Sequence, residues 1–445
     1  MFIFPKDLYT DVRIENVYST EIFYENGKLR QNLKRDYKGA FIRVFDGKRW
    51  FYCSTTDIDN IQKEIDNLAK MAVLNKKIGE NPVVKMFQIN KGVYYRFNDN
   101  NILDIKHEDK VKLLKSYFPF LSGKEELKTW KAFYIDNRTD KEFYSSKGAD
   151  LKFDYQTCAV VFRYSLNINE KTFNGRYDKT STDFNELKGL EDEIGSVIKR
   201  DIEYVKESKP VIPGKYTVVF SPIATGVFTH ESFGHKSESD FMVGDETMMK
   251  EWALGKTVGV KNLSIVDRGD VLGRGFVPFD DEGTKATKTY LVKNGILSGR
   301  LHSSVTASKL EEQLTGNARA VNFEFEPIVR MTNTYIEAGD KSKDEIISEV
   351  DKGILIVDIN HGSGMSTFTI APNICYMIRN GKIAEPVNVA VISGNVMETL
   401  NEIDGISDEI ELMAFSTGGC GKMEQFPLPV GSGGPYIRVN NINVQ

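Results

Sequence analysis

Two histidines and a glutamate stand close together near the middle of the 445-residue chain. His230 and His235 are two of only five histidines, and Glu231 directly follows the first of them. Imidazole binds Zn²⁺ well, and a catalytic zinc site needs three protein ligands and an open position for water. A carboxylate beside the ion is suited to accept a proton from that water. The pattern therefore predicts a metal site with His230 and His235 as ligands and Glu231 as the base.

The interval between the two histidines conflicts with a regular helix. Positions i and i+5 lie roughly 140° apart around an α-helix of 3.6 residues per turn, so the two side chains would point in different directions. A π-turn, in which amide i+5 donates to carbonyl i, brings them back into line. Gly234 lies inside the interval and is a weak helix former, which favours such a distortion. The alternative is two unrelated histidines, one packed in the core and one in solvent.

Further motifs follow the histidines through the C-terminal half of the chain. They are Glu238-x-Asp240, Phe279-Asp280-Asp281-Glu282-Gly283, Arg330-Met331-Thr332-Asn333-Thr334-Tyr335, Gly419-Cys420-Gly421-Lys422 and Pro427-Leu428-Pro429-Val430-Gly431. Together with the His-Glu-x-x-x-His motif they make the chain similar to the TldD/PmbA family. The TldD-type members of that family are zinc-dependent peptidases, and the family has also been labelled a modulator of DNA gyrase.

The resemblance implies a cofactor, a substrate class and a partner. The cofactor is Zn²⁺, and the substrates are short or unfolded peptides cut in a sheltered cavity between subunits. The assembly is either a homodimer or a heterodimer with a PmbA/TldE-type paralogue that lacks the motif. Because this chain has every motif residue, it is expected to be the active half of such a pair.

A third metal ligand must come from elsewhere in the chain. Cys158 and Cys375 lie in strand patterns typical of buried thiols, and Cys53 lies in the other predicted domain. Cys420 differs, because glycines surround it and Lys422 favours the thiolate that a metal binds. A thiol in an ordinary glycine turn is the alternative. The resemblance implies that Cys420 is the third zinc ligand.

Three further groups of polar residues leave alternatives open. Glu238 and Asp240 would either accept an N–H from a metal-bound histidine or cap and solvate the end of the helix. Residues 280–282 would bind a cation or form an acidic turn. Arg319 would hold a peptide carboxylate, polarise a carbonyl, or form a surface salt bridge, and we favour the salt bridge.

Length and composition set the broad class of protein. The chain is long enough for two or three domains, and its 40% hydrophobic and 27% charged residues are typical of a soluble globular protein. The net charge of −5 provides no overall positive field, so a nucleic-acid partner is not expected. Neither a signal peptide nor an apolar run of membrane-spanning length occurs, and the four cysteines lack C-x-x-C spacing. We therefore expect a cytoplasmic protein without a membrane partner.

The fold predicted around the site is α+β and has two domains. Residues 1–208 are predicted to form an antiparallel sheet-and-helix domain, with strands over residues 82–104. A helix of about six turns is predicted to begin at Thr182 or Asp183 and to run to Val205. The dipeptides that favour hairpin turns are Asn26-Gly27, Asp46-Gly47 and Asn174-Gly175.

The boundary of the second predicted domain is marked by two prolines and a glycine in residues 209–214, which favour an extended link. Residues 209–445 are predicted to be rich in β-strands and to carry the metal. The resemblance implies that this domain is barrel-like.

Three functions are compatible with these residues. The first is a peptidase in which Zn²⁺ polarises the scissile carbonyl, while Glu231 takes a proton from water and passes it to the leaving amine. The second is a non-catalytic binding or regulatory module of the gyrase-modulator type. The third is a metallohydrolase acting on a non-peptide amide or ester. Glu231 favours an enzyme, because a purely structural zinc site is closed by a fourth ligand and needs no base.

Overall fold

The computed structural model describes residues 2–413 and 415–445. Its N-terminal half is built on one seven-stranded sheet. The strands are β1 (Tyr9–Glu25), β2 (Lys28–Phe45), β3 (Trp50–Thr55), β4 (Lys91–Tyr94), β5 (Leu127–Ser145), β6 (Asp150–Ile168) and β7 (Lys171–Ser181). Their order is β3-β2-β1-β5-β6-β4, and β7 also pairs with β6. Only the β4–β6 pairing among these is parallel, so the predicted antiparallel sheet is confirmed.

Two of the sheet's turns show how local sequence and packing compete. Asn26 and Gly27 adopt φ angles of 46° and 75° and join β1 to β2, as predicted. The turn predicted at Asn174-Gly175 is wrong, because the chain turns at Asn169 and continues through Gly175 as strand β7. A Cβ on Gly175 would lie 2.1 Å from the ring of Tyr164. The glycine is therefore needed for packing across the sheet and not for a turn.

Five helices cover the N-terminal sheet. They are α1 (Ile61–Met71), α2 (Pro82–Met86), α3 (His107–Ser116), α4 (Phe118–Leu121) and α5 (Glu191–Glu207). The strands predicted over residues 82–104 are only partly right, since Asn81 caps the short helix α2 and only β4 is extended there. The α1 helix shows the predicted amphipathic pattern, with Ile61, Ile65 and Leu68 buried.

The single long helix predicted from residue 182 or 183 is also wrong. Asp183 caps a short 3₁₀ segment, Phe184–Leu187, and Gly189 then takes a φ of 72° before α5 begins. Phe184, Leu187 and Leu190 are all buried. The three-residue spacing of Phe184 and Leu187 places both on one side of the 3₁₀ turn, so burial of these two side chains favours the tighter turn.

The C-terminal half contains a closed five-stranded barrel and a second, six-stranded sheet. Its strands are β8 (Lys209–Pro210), β9 (Gly214–Phe220), β10 (Ile265–Arg268), β11 (Lys288–Lys293), β12 (Ile296–Leu297), β13 (Ala318–Arg319), β14 (Ile328–Val329), β15 (Asn333–Ile336), β16 (Lys352–Gly364), β17 (Thr367–Arg379), β18 (Lys382–Asn388), β19 (Ile392–Asn395), β20 (Ile403–Ile406), β21 (Glu411–Met413), β22 (Cys420–Lys422), β23 (Gln425–Leu428), β24 (Gly431–Gly434) and β25 (Ile437–Val444). The barrel runs β16-β9-β25-β19-β17 and closes where β17 pairs with β16. The predicted barrel-like form is confirmed.

The second sheet runs β12-β11-β10-β15-β24-β21. The helices of this half are α6 (Pro222–Thr229), α7 (Glu246–Glu251), α8 (Ser304–Leu310), α9 (Lys343–Ser348) and α10 (Val396–Asn401). Helix α6 follows β9 directly and packs against barrel strand β16 and sheet strands β15 and β24. A Cβ on Gly226 would lie 2.4 Å from the amide nitrogen of Gly433, so the absent side chain lets α6 approach β24 closely.

An acidic turn of the C-terminal half joins it to the N-terminal sheet. Asp281 forms an ion pair with Lys141 at 2.5 Å, and Glu282 forms one with Arg43 at 3.2 Å. Asp280 accepts hydrogen bonds from the amides of three residues of the turn and of β13. Because these carboxylates already have partners, the structure favours the acidic turn over the cation site.

We propose that residues 1–208 and 209–445 are separate domains. Among the described residues, every strand of the N-terminal sheet ends before residue 208 and every strand of the barrel begins after it. Side chains of the two parts nevertheless pack together, as the buried contact of Ile374 with the N-terminal core shows.

Candidate metal centre

Residues His230–Gly234 form a π-helical turn that continues α6. The His235 amide donates to the His230 carbonyl, which is the i to i+5 hydrogen bond expected from the spacing. The two imidazole rings lie with their centroids 5.0 Å apart and their planes at 80°. The predicted π-turn is confirmed, and the histidines are not the unrelated pair of the alternative interpretation.

Gly234 in this turn is fixed by packing as well as by its weak helix propensity. A Cβ on Gly234 would lie 2.1 Å from the sulfur of the fully buried Met331. On another side, the hairpin between β16 and β17 contacts the turn, and a Cβ on Gly364 would lie 2.9 Å from the Ser232 hydroxyl. Met331 and the β16–β17 hairpin therefore pack against the π-turn, and they leave no space for a larger residue at position 234 or 364.

We expect Gly234→Ala to destabilise the protein by about 1–3 kcal/mol, because an added methyl group must displace Met331 in a close-packed core. Chemical denaturation of the metal-free protein measures this loss. Gly79→Ala is the matched control, since an added Cβ there meets nothing within 4 Å, and its change is expected to stay within about 0.5 kcal/mol. Equal unfolding free energies for the two variants would contradict the packing account.

Cys420 reaches the histidines from the two-stranded hairpin of β22 and β23. Its Sγ lies 3.5 Å from His235 Nε2, and one ligand atom each from His230, His235 and Cys420 lie within 4.8 Å of one another. In a tetrahedral zinc site, bonds of about 2.0–2.3 Å place neighbouring ligand atoms about 3.3–3.8 Å apart. The distances between the ligand atoms of these three side chains are thus close to those of a zinc site.

The chemistry of these three groups also fits a metal ion. The Nδ1 atom of His230 is buried and has no hydrogen-bond partner among the described residues. A buried polar atom without a partner is destabilising unless something binds it. Two imidazoles and one thiol are donors that Zn²⁺ prefers.

Electrostatic interactions among His230, His235 and Cys420 favour the ionised form of the thiol. Burial disfavours the thiolate of Cys420, yet hydrogen bonds and charge interactions with His230 and His235 lower the pKa of this thiol to about 5. Burial opposes protonation of His235, but Cys420 and Glu238 outweigh it and raise the pKa of the imidazole to about 10. These shifts favour a thiolate on Cys420 beside an imidazolium on His235, and a metal ion that binds His235 must displace the proton from the ring.

Glu238 and Asp240 have different roles. Glu238 accepts a hydrogen bond from His235 Nδ1 at 3.2 Å and from Lys422 Nζ at 3.1 Å. Burial raises its pKa, but His235 and Lys422 outweigh burial and lower it, so the carboxylate stays ionised. Asp240 instead pairs with Lys422 at 2.6 Å. Glu238 thus orients a candidate metal-binding imidazole, as metal-bound histidines usually require.

Two buried arginines hold the backbone around Cys420. Arg330 donates from Nη2 to the carbonyl of Cys420 at 2.7 Å. Arg319 donates to the carbonyls of Met331 and Pro429, and only 5% of its surface is exposed. The surface salt bridge favoured for Arg319 is therefore wrong. The role of Arg330 was missed, because the sequence around it contains no feature that distinguishes a buried arginine from an exposed one.

Glu231 faces the same space as the three candidate ligands. It is half-buried and lines a cavity of about 250 Å³ together with His230, His235 and Cys420. A larger cleft of about 500 Å³ lies between the two halves of the chain, and Phe415 and Ser432 line both spaces. The cleft therefore adjoins the cavity that contains Glu231 and the candidate ligands.

Known proteins resemble this chain over nearly its full length. Residues 213–445 match the family model of the PmbA/TldA metallopeptidase C-terminal domain, and residues 10–75 match that of PmbA/TldA metallopeptidase domain 1. A metalloprotease of Synechocystis sp. is 31% identical, covering 98% of this chain and 94% of its own. A zinc metalloprotease TldD homolog of Saccharolobus solfataricus is 27% identical, covering 98% and 96%.

A solved structure shows the same fold. TldE from Thermococcus kodakarensis superimposes with a TM-score of 0.76 over 98% of this chain and 96% of its own, at 17% sequence identity. The match of the C-terminal family model to more than half of the sequence, and the full-length relative at 31% identity, identify the family. The chain belongs to the PmbA/TldD family of metallopeptidases.

Proposed function

We propose that this chain is a zinc-dependent peptidase in which His230, His235 and Cys420 bind the ion and Glu231 is the general base. The observation that carries the proposal is the convergence of two imidazoles, a thiol and a carboxylate on one cavity of about 250 Å³. The name of the Saccharolobus solfataricus relative, a zinc metalloprotease, supports the choice of zinc.

Glu231 takes part in the chemistry of this mechanism, and Glu238 and Arg330 position other groups of the site. Zinc held there would polarise the scissile carbonyl and activate a water molecule. Glu231 accepts the proton of that water and passes it to the leaving amine. Glu238 keeps His235 oriented by accepting its Nδ1–H, which leaves Nε2 directed towards Cys420. Arg330 fixes the backbone that carries the thiolate.

The large cleft beside the metal cavity supports short or unfolded peptides as substrates. Residues 176–182, which include the second half of β7, line it together with residues 411–413 of β21. Among the described residues, β7 pairs only with β6 and β21 only with β24, so each strand has an unpaired edge. Extended peptides bind such edges through main-chain hydrogen bonds, whatever their sequence. A volume of about 500 Å³ has room for an extended segment but not for a folded domain.

We also propose a partner of the same fold. TldE from Thermococcus kodakarensis shares this fold, which supports either a second copy of this chain or a TldE-type paralogue without the motif. Light scattering on the chain alone and after co-expression with such a paralogue distinguishes a homodimer from a heterodimer.

We propose the cytoplasm as the location of the enzyme. All four cysteines are free thiols, which is typical of proteins in a reducing compartment. In the described residues, the helices are all too short or too polar to cross a membrane.

Removal and return of the metal tests the proposed function. We expect a chelator to abolish cleavage of an unfolded peptide, and one equivalent of Zn²⁺ per chain to restore it, because the ion supplies the polarisation that the side chains lack. Elemental analysis confirms that the chelated sample is free of metal. Continued hydrolysis by a sample shown to contain no metal would contradict the proposal.

A further inference from the structure

Arg274 is a cation at the wall of the proposed substrate cleft. It lines the cleft of about 500 Å³ that adjoins the metal cavity. Among the described residues, no carboxylate forms an ion pair with its guanidinium group. Asp178 is close enough to influence Arg274, but Arg163 holds both oxygens of that carboxylate, at 2.7 and 2.9 Å. Burial lowers the pKa of Arg274 to about 10, as expected for a cation without a counterion.

The guanidinium group is held in place and still has free donors. It donates from Nη1 to the carbonyl of Phe415 at 2.6 Å and from Nη2 to the carbonyl of Gly418 at 2.7 Å. Arginine has five N–H donors in a fixed plane, so three remain after these two bonds. Those donors and the positive charge suit a carboxylate, which arginine binds in bidentate fashion.

The backbone that presents Arg274 is rigid. The side chain of Asn333 donates to the carbonyls of Arg268 and Val271, and these bonds fix the segment that precedes Arg274. A Cβ on Gly275 would lie 2.4 Å from the carbonyl oxygen of Thr332, so the chain after Arg274 also packs closely against β15. A binding group fixed before the ligand arrives loses little entropy on binding.

We propose that Arg274 binds the C-terminal carboxylate of the peptide substrate and thereby favours bonds close to the end of a chain. This inference rests on the proposed peptidase function. Gly418 and Cys420 are two residues apart, so their Cα atoms are separated by at most about 7.6 Å. An extended peptide rises about 3.3 Å per residue. A carboxylate on Arg274 thus lies within a few residues of the scissile bond, and the products include short peptides released from the C-terminus.

Two peptides that differ only at the C-terminus test the proposal. One has a free carboxylate three residues after the cleaved bond, and the other has a neutral amide there. A charge-assisted hydrogen-bond pair changes binding by about ten- to a hundredfold, so we expect kcat/KM for the acid to exceed that for the amide by this factor. Arg274→Gln is expected to reduce the ratio to about one. Arg274→Lys keeps the charge but not the bidentate geometry, and it should retain part of the preference.

Arg176→Gln is the matched control. Arg176 also lines the cleft and lies over the ring of Phe415, but it is paired with Asp358 at 2.7 Å. We expect this variant to keep the wild-type ratio of acid to amide cleavage. A similar loss in both variants would show that the overall charge of the cleft is responsible and that Arg274 is not the carboxylate site.

Three other results would overturn the proposal. Equal kcat/KM for acid and amide in the wild type would remove the preference while leaving the peptidase function intact. An unchanged ratio in Arg274→Gln, with both rates lowered, would show that the arginine only positions the loop of residues 415–418. If neither peptide is cleaved, the proposed function fails. Fluorescence anisotropy then measures how tightly the zinc-loaded protein binds fluorescently labelled forms of the acid and the amide. Equal affinities there would also overturn the proposal.

Discussion

Glu231→Gln is expected to lower kcat for peptide hydrolysis by about 10²–10⁴-fold while zinc remains bound. General acid–base catalysis typically contributes a factor of this size. The amide has nearly the shape of the carboxylate but does not accept a proton at neutral pH. Glu231 lies beside the candidate ligands in the same cavity and is not one of the three converging groups. Steady-state kinetics together with the zinc content of each sample measures both parts of the prediction.

Glu246→Gln is the matched control for this substitution. Glu246 is exposed at the beginning of α7, and the change removes one negative charge without approaching the cavity. We expect its kcat to equal that of the wild type. Wild-type rates from a zinc-loaded Glu231→Gln variant would show that another group is the base.

His230→Ala is expected to weaken zinc binding by more than a hundredfold. Loss of an outer hydrogen-bond partner alone costs about 10–100-fold in metal affinity, so loss of a ligand should cost more. The substitution also leaves only His235 and Cys420 from the set of three, which does not make a catalytic zinc site. Competition with a chromophoric chelator measures the dissociation constant.

His361→Ala is the control for His230→Ala. His361 lies on β16 with an exposed side chain and is not part of the converging set. Its replacement should leave the zinc affinity unchanged. Full zinc occupancy of His230→Ala under conditions that saturate the wild type would place the ion elsewhere.

The π-turn is the part of the site that the sequence predicts best. The i to i+5 spacing of His230 and His235 cannot be reconciled with one ion on a regular helix, so the distortion follows from geometry alone. The approach of Cys420, 185 positions further along the chain than His235, depends on how the barrel and the second sheet pack. Its surrounding glycines indicated an unusual loop, but only the family resemblance connected that loop to the histidines.

Other features depend on packing between distant segments, which no local sequence pattern predicts. Asn174-Gly175 is a good turn dipeptide, yet the ring of Tyr164 requires the missing side chain of Gly175 within a strand. For Arg319 the sequence favours a surface salt bridge, since charged side chains are mostly exposed. In the structure, main-chain carbonyls replace the acid, and their orientation follows from the loops around Cys420.

A crystal of the zinc-loaded protein, measured at the zinc absorption edge, tests the central claim most directly. The account predicts one anomalous peak per chain, about 2.3 Å from the Sγ of Cys420 and about 2.0–2.1 Å from one nitrogen each of His230 and His235. It also predicts that the carboxylate of Glu231 faces the remaining open position. A peak bound by other residues, or no peak among these three side chains in a protein shown to contain zinc, would contradict it.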